Sequence, residues 1–208
     1  MASMTMTQSF ACQTFTKSSG RDGAIVYDTI ESTDELPAGW TDEQERGFYR
    51  LKRRDDGAFF GYASSSQSWK KFLHPADIRL WSAQRENGTF RILDQAPSSK
   101  KRYAFLGVRS CDLTAIGVQD RVLLGDLHQD PIYAARRNGV FIVAVECTHS
   151  SAICFRASMQ TGPHVRAGYD LALTELLDQQ GHRFLVKAGQ RCGARAARST
   201  RTYRGHRR

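Results

Sequence analysis

Residues 103–124 read YAFLGVRSCDLTAIGVQDRVLL, a compact apolar run that passes directly into an amphipathic segment. A short apolar run without alternating polar residues is typical of a parallel strand that is buried on both faces. The segment from Asp112 to Leu124 carries apolar residues at helical spacing and an acidic residue in its first turn, which favours a helix. The sequence therefore predicts a strand followed by a helix, the unit from which parallel α/β sheets are built.

The residues downstream continue this alternation. Asp130 and Pro131 suit the N-cap and the first position of a short helix, and VFIVAV at 140–145 predicts a second buried strand. We expect a further helix over GYDLALTELLDQQG at 168–181 and a third strand at RFLVK, residues 183–187. Strand, helix, strand, helix and strand with right-handed crossovers give a small parallel α/β sheet in the C-terminal half.

The residues upstream predict an α+β half with antiparallel pieces. Trp69, Phe72 and Leu73 lie at helical spacing before Pro75, which predicts a short helix that ends there. Trp40 falls in an acidic, turn-rich connection at 32–47 and is expected to anchor it by packing. The predicted strands are AIVYD (24–28), AFFGY (58–62), and the pair IRLWSA (78–83) and FRIL (90–93), which a Glu-Asn-Gly turn at 86–88 joins.

We therefore expect one α/β domain over residues 24–188, between a mobile leader at 1–23 and a disordered, arginine-rich tail at 189–208. The leader is rich in Ser, Thr, Gln and Met and has no clear hydrophobic period. The tail has no acidic residue and no hydrophobic period, a composition that does not support a packed core.

Charge and hydropathy exclude several classes of protein. The net charge is +9, but the tail holds seven of the 30 basic residues, which leaves 23 basic against 21 acidic residues in the remainder. A body so close to neutral lacks the basic face of a nucleic-acid-binding fold. The longest apolar run, Val140 to Val145, is far shorter than the roughly 20 residues of a membrane-spanning helix. Because the leader also lacks the pattern of a secretory signal, the expected location is the cytoplasm.

The five cysteines are Cys12, Cys111, Cys147, Cys154 and Cys192, an odd number that fits poorly with a disulfide framework. Cys111 follows the first predicted strand of the parallel sheet and Cys147 follows the second, so both belong at the edge where ligand sites form. Cys154 comes next, on the loop after Cys147. Arg109 and the start of the helix are expected to lower the pKa of the Cys111 thiol. Three thiols at one edge can hold an iron–sulfur cluster, since zinc and iron–sulfur centres prefer thiolate ligands.

Other interpretations of these cysteines remain open on spacing alone. Cysteine often fills apolar space without a further role, and this chain has no CxxC pair. A zinc site would need His149 as a fourth ligand, whereas the favoured interpretation of His149 is an exposed loop residue. Cys147 as a catalytic nucleophile would need a base and an orienting group, and no known cysteine-hydrolase signature surrounds it. Cys192 has no partner at a useful spacing and is given no role.

Four segments of the chain resemble a known family, namely GVRSCDLTAIGVQDRVLL (107–124), DPIYAARRNGVFIVAVECT (130–148), CFRASMQTGP (154–163) and GYDLALTEL (168–176). The family unites the iron–sulfur β subunit of cytoplasmic sulfhydrogenases with the corresponding iron–sulfur subunit of anaerobic sulfite reductase, and the resemblance covers most of residues 24–187. It implies a non-catalytic electron-transfer subunit with 4Fe–4S clusters. Such a subunit passes electrons between the catalytic subunits of a hydrogenase or sulfite reductase and a partner that contains flavin. The resemblance also implies that Cys111, Cys147 and Cys154 are cluster ligands.

The chain departs from the family pattern in two places. Family members carry Cys-Phe-Cys where this chain has Cys154, Phe155 and Arg156. Because a guanidinium cannot donate a lone pair to iron, Arg156 leaves the ligand shell one thiolate short and weakens cluster binding. Family members also continue into a domain with two cysteine-rich runs that hold the main clusters, and nothing of this kind follows Lys187.

The sequence therefore predicts the N-terminal part of such an electron-transfer subunit, truncated before its dicluster ferredoxin domain. The alternative is a cluster-free remnant that binds no cofactor and serves as a docking module for a partner subunit. A second alternative is nonspecific binding of polyanions through the tail at 189–208.

Overall fold

A mixed sheet of seven strands runs through the part of the chain that the structure describes. The computed structural model describes residues 24–63, 67–93, 102–125 and 127–189, together with the backbone of 8–16 and 202–204. The strands are β1 (Gln8–Thr16), β2 (Ala24–Ile30), β3 (Trp40–Glu45), β4 (Phe48–Arg53), β5 (Ser82–Glu86), β6 (Thr89–Leu93), β7 (Arg102–Val108), β8 (Phe141–Val145), β9 (Leu171–Asp178), β10 (Gly181–Ala188) and β11 (Thr202–Arg204). The helices are α1 (Lys70–Leu73), α2 (Ser110–Leu124) and α3 (Pro131–Arg137), with a 3₁₀ turn at Thr33–Glu35.

The order of strands in the large sheet is β11-β10-β9-β8-β7-β1-β2. Strands β1, β7, β8 and β9 are parallel to one another, whereas β2 at one edge and β10 and β11 at the other are antiparallel to their neighbours. Two separate hairpins, β3–β4 and β5–β6, lie outside this sheet. The fold is therefore mixed α/β, as predicted, although the sequence predicts neither β1 nor β9.

The unit β7–α2–α3–β8 confirms the prediction for residues 103–145. Strands β7 and β8 pair in parallel, with both helices between them in the chain. Pro131 takes the first position of α3, and the Asp130 carboxylate accepts hydrogen bonds from the backbone N–H groups of Ile132 (2.9 Å) and Tyr133 (2.8 Å). These N–H groups have no partner inside the helix, so the cap fixes where α3 begins.

The helix expected at 168–181 does not form, and this prediction is wrong. Leu171–Asp178 is the strand β9, which pairs in parallel with β8 and antiparallel with β10. The turn between β9 and β10 ends at Gly181 with a φ of 104°, a conformation that favours glycine. RFLVK is a strand, as predicted, but it is antiparallel because the chain returns directly from β9. A leucine-rich segment suits a helix or a strand, and here pairing with both neighbours makes it a strand.

The connection between β8 and β9 is consequently a loop over residues 146–170, which we call the cysteine loop. Parallel neighbours cannot be joined by a tight turn, so a crossover of a dozen or more residues is required. The cysteine loop is that crossover, and it carries Cys147 and Cys154.

The strand expected at AFFGY, residues 58–62, does not form either. The segment is buried but irregular, and side chains from distant parts of the chain bind its backbone. The Glu175 carboxylate accepts from two of its N–H groups, and the Arg109 guanidinium donates to two of its carbonyls. Because a buried backbone must be hydrogen-bonded, these two side chains take the place of a neighbouring strand.

The two hairpins differ in how far the sequence predicts them. The acidic stretch at 32–47, expected to be a connection, includes β3, since an exposed hairpin tolerates polar residues along its strands. Trp40 packs as expected, with the guanidinium carbon of Arg53 3.9 Å from its ring centroid. In the hairpin β5–β6, Asn87 (φ 48°) and Gly88 (φ 82°) form the type I′ geometry that Asn-Gly favours, as predicted.

Strand β1 lies within the segment that was expected to be a mobile leader. It pairs in parallel with β7 and antiparallel with β2, so regular structure begins before Ala24. Likewise, β11 pairs with β10 inside the expected disordered tail. Strand β1 also pairs with β7, which is distant in sequence, and local composition does not reveal such a pairing. The domain boundaries stay predictions, and Cys192 and the greater part of the tail lie outside the described residues.

Two apolar clusters pack on opposite faces of the large sheet. Successive residues of a strand point to opposite faces, so Phe105 and Ala144 belong to one cluster and Leu106 and Val145 to the other. In the first cluster the ring of Trp69, which precedes the predicted helix α1, stacks on Phe105 with the ring centroids 4.6 Å apart.

No helix in the described part of the chain is long and apolar enough to cross a membrane.

Candidate functional site

Three cysteines come together at the carboxyl ends of β7 and β8. Cys111 is in the first turn of α2, directly after β7, while Cys147 follows β8 and Cys154 lies further along the cysteine loop. All three line one cavity of about 820 Å³, which we call the thiol cavity. The sheet edge therefore brings the thiols to one place, as expected, whereas ligation of a metal by them stays a prediction.

Backbone hydrogen bonds hold the cysteine loop against the rest of the fold. The Cys147 N–H donates to the carbonyl of Pro163 (3.2 Å), which closes the loop across its base. The Ser110 hydroxyl donates to the carbonyl of Thr161, which ties the end of the loop to the start of α2. These contacts hold the elements that carry Cys147 and Cys111, and both residues line the same cavity.

Arg109 is buried and directed away from the thiol cavity. The residue is 1% exposed, and its guanidinium donates to the carbonyls of Phe60 (2.8 Å), Tyr62 (3.0 Å) and Glu146 (3.2 Å). Its charge therefore holds the irregular segment 58–62 and the end of β8. The expectation that Arg109 lowers the pKa of the Cys111 thiol is wrong, because its guanidinium is committed to backbone carbonyls.

The pKa of the Cys111 thiol is raised to about 11, chiefly by burial. The Asp112 carboxylate and the nearby thiol groups of Cys147 and Cys154 contribute to this rise, since a negative charge disfavours another one near it. A hydrogen bond from the backbone of Asp112 acts in the opposite direction and does not outweigh these effects. Cys111 is therefore protonated at neutral pH.

Cys154 has the opposite electrostatic environment. Burial acts to raise the pKa of its thiol, but hydrogen bonds from the backbone and side chain of Arg156 and from Ser150, together with the charge of Arg156, outweigh it. The pKa of Cys154 consequently lies below its ordinary value. Because the thiol is also exposed, Cys154 is the more reactive of these two cysteines.

Arg156 contacts the sulfur of Cys154 directly and interacts electrostatically with the other two cysteines. Its Nε donates to Cys154 Sγ at 3.1 Å, and its charge interacts with Cys147 and Cys111 as well. Its Nη1 is buried and has no hydrogen-bond partner among the described residues. Arg156 occupies the position at which the family that this chain resembles has a further cysteine. It therefore places a permanent positive charge at the thiol cavity.

The chain is 35% identical to sulfhydrogenase 2 subunit beta of Pyrococcus furiosus over 88 residues. The match covers 42% of this chain and 24% of the relative, so the chain spans about a quarter of the relative's length. This chain is a distant relative of the sulfhydrogenase β subunits. No protein-family model matches it, and no solved structure matches it.

The thiol cavity contains thiols, the kind of ligand that an iron–sulfur cluster uses. It does not contain a complete set of ligands for a cluster. Within the described ranges, no three side chains of Cys, His, Asp or Glu lie close enough together to hold a metal ion. His149, expected on an exposed loop, is half-buried and lines the same cavity, so the zinc alternative meets the same limit. The cysteines would have to move closer together to bind a cluster.

Glu175 holds the segment 58–62, which Arg109 also binds, and is not singled out by the sequence. It is buried on β9, where its carboxylate accepts from the N–H groups of Phe59 (2.6 Å) and Phe60 (3.0 Å) and lies 2.8 Å from His182 Nε2. The available signal was an acidic residue inside the apolar run 171–177, which marks a buried charge that needs partners.

Proposed function

We propose that the chain is part of a non-catalytic electron-transfer subunit of the sulfhydrogenase type, in which Cys111, Cys147 and Cys154 ligate an iron–sulfur cluster. The observation that carries this proposal is the convergence of three thiols on one cavity at the ends of two neighbouring parallel strands. Thiolates are the ligands that iron–sulfur clusters use. The distant relationship to a sulfhydrogenase β subunit supports the same assignment.

The residues of this chain prepare the ligands unequally. Cys154, with its lowered pKa, is the readiest to become a thiolate, whereas Cys111 must release a proton whose pKa is about 11. Cluster binding should therefore strengthen as the pH rises. A bound cluster supplies one-electron transfer. Arg156 would offset part of the charge of three thiolates while leaving the fourth position without a protein ligand.

The proposed partners are the catalytic subunits of a hydrogenase or sulfite reductase, together with a flavin-containing subunit, in a cytoplasmic complex. A second candidate function is a cluster-free docking module for such a partner subunit. The observation that favours this second function is the hydrogen bond from Arg156 to Cys154 Sγ, which engages a sulfur that a cluster would need. In that case the thiol cavity holds no metal.

Anaerobic expression of the full chain, followed by assay of iron and acid-labile sulfide and by visible absorption, tests the proposal. We expect bound iron and sulfide in the wild-type chain and a loss of both in each of Cys111→Ser, Cys147→Ser and Cys154→Ser. Cys192→Ser is the matched control, because this cysteine has no assigned role, and it should keep the iron content of the wild type.

Restoring a fourth thiolate gives the complementary experiment. Arg156→Cys should raise the iron content and slow its loss to a chelator, because four thiolates complete the shell of a cluster. A folded wild-type chain that stays colourless and iron-free, even after reconstitution with iron and sulfide, would contradict the cluster and leave the docking module as the function.

A further inference from the structure

A second cavity, of about 480 Å³, adjoins the thiol cavity. We call it the arginine cavity, because Arg156 and Arg166 both line it. Ser150, Cys154 and Arg156 line both cavities, so they form the boundary between the two spaces. Arg156 therefore faces a largely apolar space on one side and a polar space on the other.

The described residues that line these cavities carry positive charge. They include no Asp or Glu, whereas Arg156 lines both cavities and Arg166 lines the arginine cavity. Nε of Arg156 donates a hydrogen bond to Cys154 Sγ. The buried Nη1 of Arg156 has no acceptor among the described residues. A buried donor without an acceptor is unfavourable, so an anion placed here would gain a charge-assisted hydrogen bond.

Much of the lining of the thiol cavity is apolar and could contact the apolar part of a ligand whose anionic group lies near Arg156. Its lining includes Val26, Phe48, Tyr49, Val118, Ile153 and Met159. Met159 is 65% exposed and Ile153 is 44% exposed, so an apolar ligand would remove further surface of these side chains from water. The cavity volume also falls within the range of about 300–1,000 Å³ in which small-molecule sites are found.

We infer that the two cavities together bind an amphipathic organic anion, with its anionic group between Arg156 and Arg166 and its apolar body in the thiol cavity. The site uses the guanidinium groups and the apolar wall, and it needs no metal. It therefore does not rest on the proposed iron–sulfur function, although the apolar body would occupy the same cavity as the cluster and the two would exclude each other. Iron content tests that function, and ligand binding to the metal-free chain tests this inference.

Calorimetric titration of the full, metal-free chain with four compounds tests the ligand class. The compounds are octyl phosphate, octanol, octyltrimethylammonium and inorganic phosphate. We expect octyl phosphate to bind about tenfold or more tightly than each of the other three, because it alone combines an anion with an apolar body. Equal affinity for octyl phosphate and octyltrimethylammonium would overturn the anionic part of the inference. Equal affinity for octyl phosphate and inorganic phosphate would overturn the apolar part.

Substitutions then assign each end of the ligand to its cavity. Arg156→Gln and Arg166→Gln should each weaken binding of octyl phosphate about tenfold and leave octanol unaffected. Ala115→Phe fills the thiol cavity, which Ala115 lines, and should weaken binding of octyl phosphate and octanol but not of inorganic phosphate. Arg121→Gln, an exposed arginine of α2 outside both linings, is the matched control and should change nothing.

Folding of each variant is checked by circular dichroism and by its Tm, so that a lost site is distinguished from a lost fold. If Arg156→Gln proves unstable, Arg156→Lys keeps a positive charge and should retain most of the affinity for octyl phosphate. Unchanged binding of octyl phosphate in a folded Arg156→Gln variant would overturn the inference.

Discussion

Two cysteines of the thiol cavity, Cys111 and Cys154, each have an arginine two residues away in sequence, with opposite effects on the thiol. At the start of α2, Arg109 precedes Cys111 by two residues, and in the cysteine loop Arg156 follows Cys154 by two residues. Arg109 is buried against backbone carbonyls and leaves Cys111 with a raised pKa, whereas Arg156 donates to Cys154 Sγ and lowers the pKa of that thiol.

The difference shows that an arginine near a cysteine in sequence does not determine the acidity of the thiol. What matters is which acceptors the guanidinium meets once the chain has folded. Arg109 meets the irregular segment 58–62, whose buried carbonyls have no strand to pair with, and the carbonyl of Glu146. Arg156 lies on a loop and meets a sulfur. The first arginine therefore serves stability, and the second one serves the site.

Arg109→Met should have the largest effect, which is on the free energy of unfolding. The substitution leaves three carbonyls without their donor in the interior and should lower the free energy of unfolding by about 3–4 kcal/mol. Urea denaturation measures it. Arg121→Met on the exposed side of α2 is the control and should change stability by less than about 0.5 kcal/mol. A similar small change in Arg109→Met would show that Arg109 is not a structural residue.

Glu175→Gln tests the other side chain that holds segment 58–62. A carboxamide offers one oxygen where the carboxylate offers two, so one of the N–H groups of Phe59 and Phe60 loses its acceptor. We expect a loss of about 2 kcal/mol in the free energy of unfolding. Glu43→Gln, which changes an exposed residue of β3, should have almost no effect in the same urea experiment.

The rates at which Cys111 and Cys154 are alkylated test the difference between the two thiols directly. Alkylation requires the thiolate, so its rate rises with pH until the pKa is passed. With a lowered pKa at Cys154 and a pKa of about 11 at Cys111, iodoacetamide at neutral pH should modify Cys154 faster. We expect a difference of about tenfold or more, read from peptide masses over time. Equal rates in the folded, metal-free chain would contradict the assigned environments.

The smallest expected effect is that of Arg156→Gln on Cys154. The substitution removes the charge and the hydrogen bond from Nε, so the pKa of Cys154 should rise. The rate of alkylation at neutral pH should fall about threefold, and its midpoint should move to higher pH. The rate at Cys111 serves as the internal reference and should change little. A midpoint that stays in place would show that Ser150 and the loop backbone suffice.

The sequence predicts the elements whose signals are local. The run YAFLGV predicts β7, Asp130 and Pro131 predict the start of α3, and Asn87 with Gly88 predicts the turn of β5–β6. The failures include β1, β9 and the segment 58–62, where pairing with other strands or with side chains from elsewhere in the chain decides the structure. Pairing with β8 and β10 turns 171–178 into a strand, and Glu175 and Arg109 make a strand at 58–62 unnecessary.

The sequence by itself determined that Cys111 and Cys147 lie at one edge of a parallel sheet, because each follows a buried strand whose apolar pattern is local. It also determined that Arg156 cannot ligate a metal, because this follows from the chemistry of the guanidinium. Only the tertiary structure decided the direction of each thiol pKa and the boundary role of Arg156 between two cavities. Burial and hydrogen-bond partners come from residues far apart in the chain, so no local pattern encodes them.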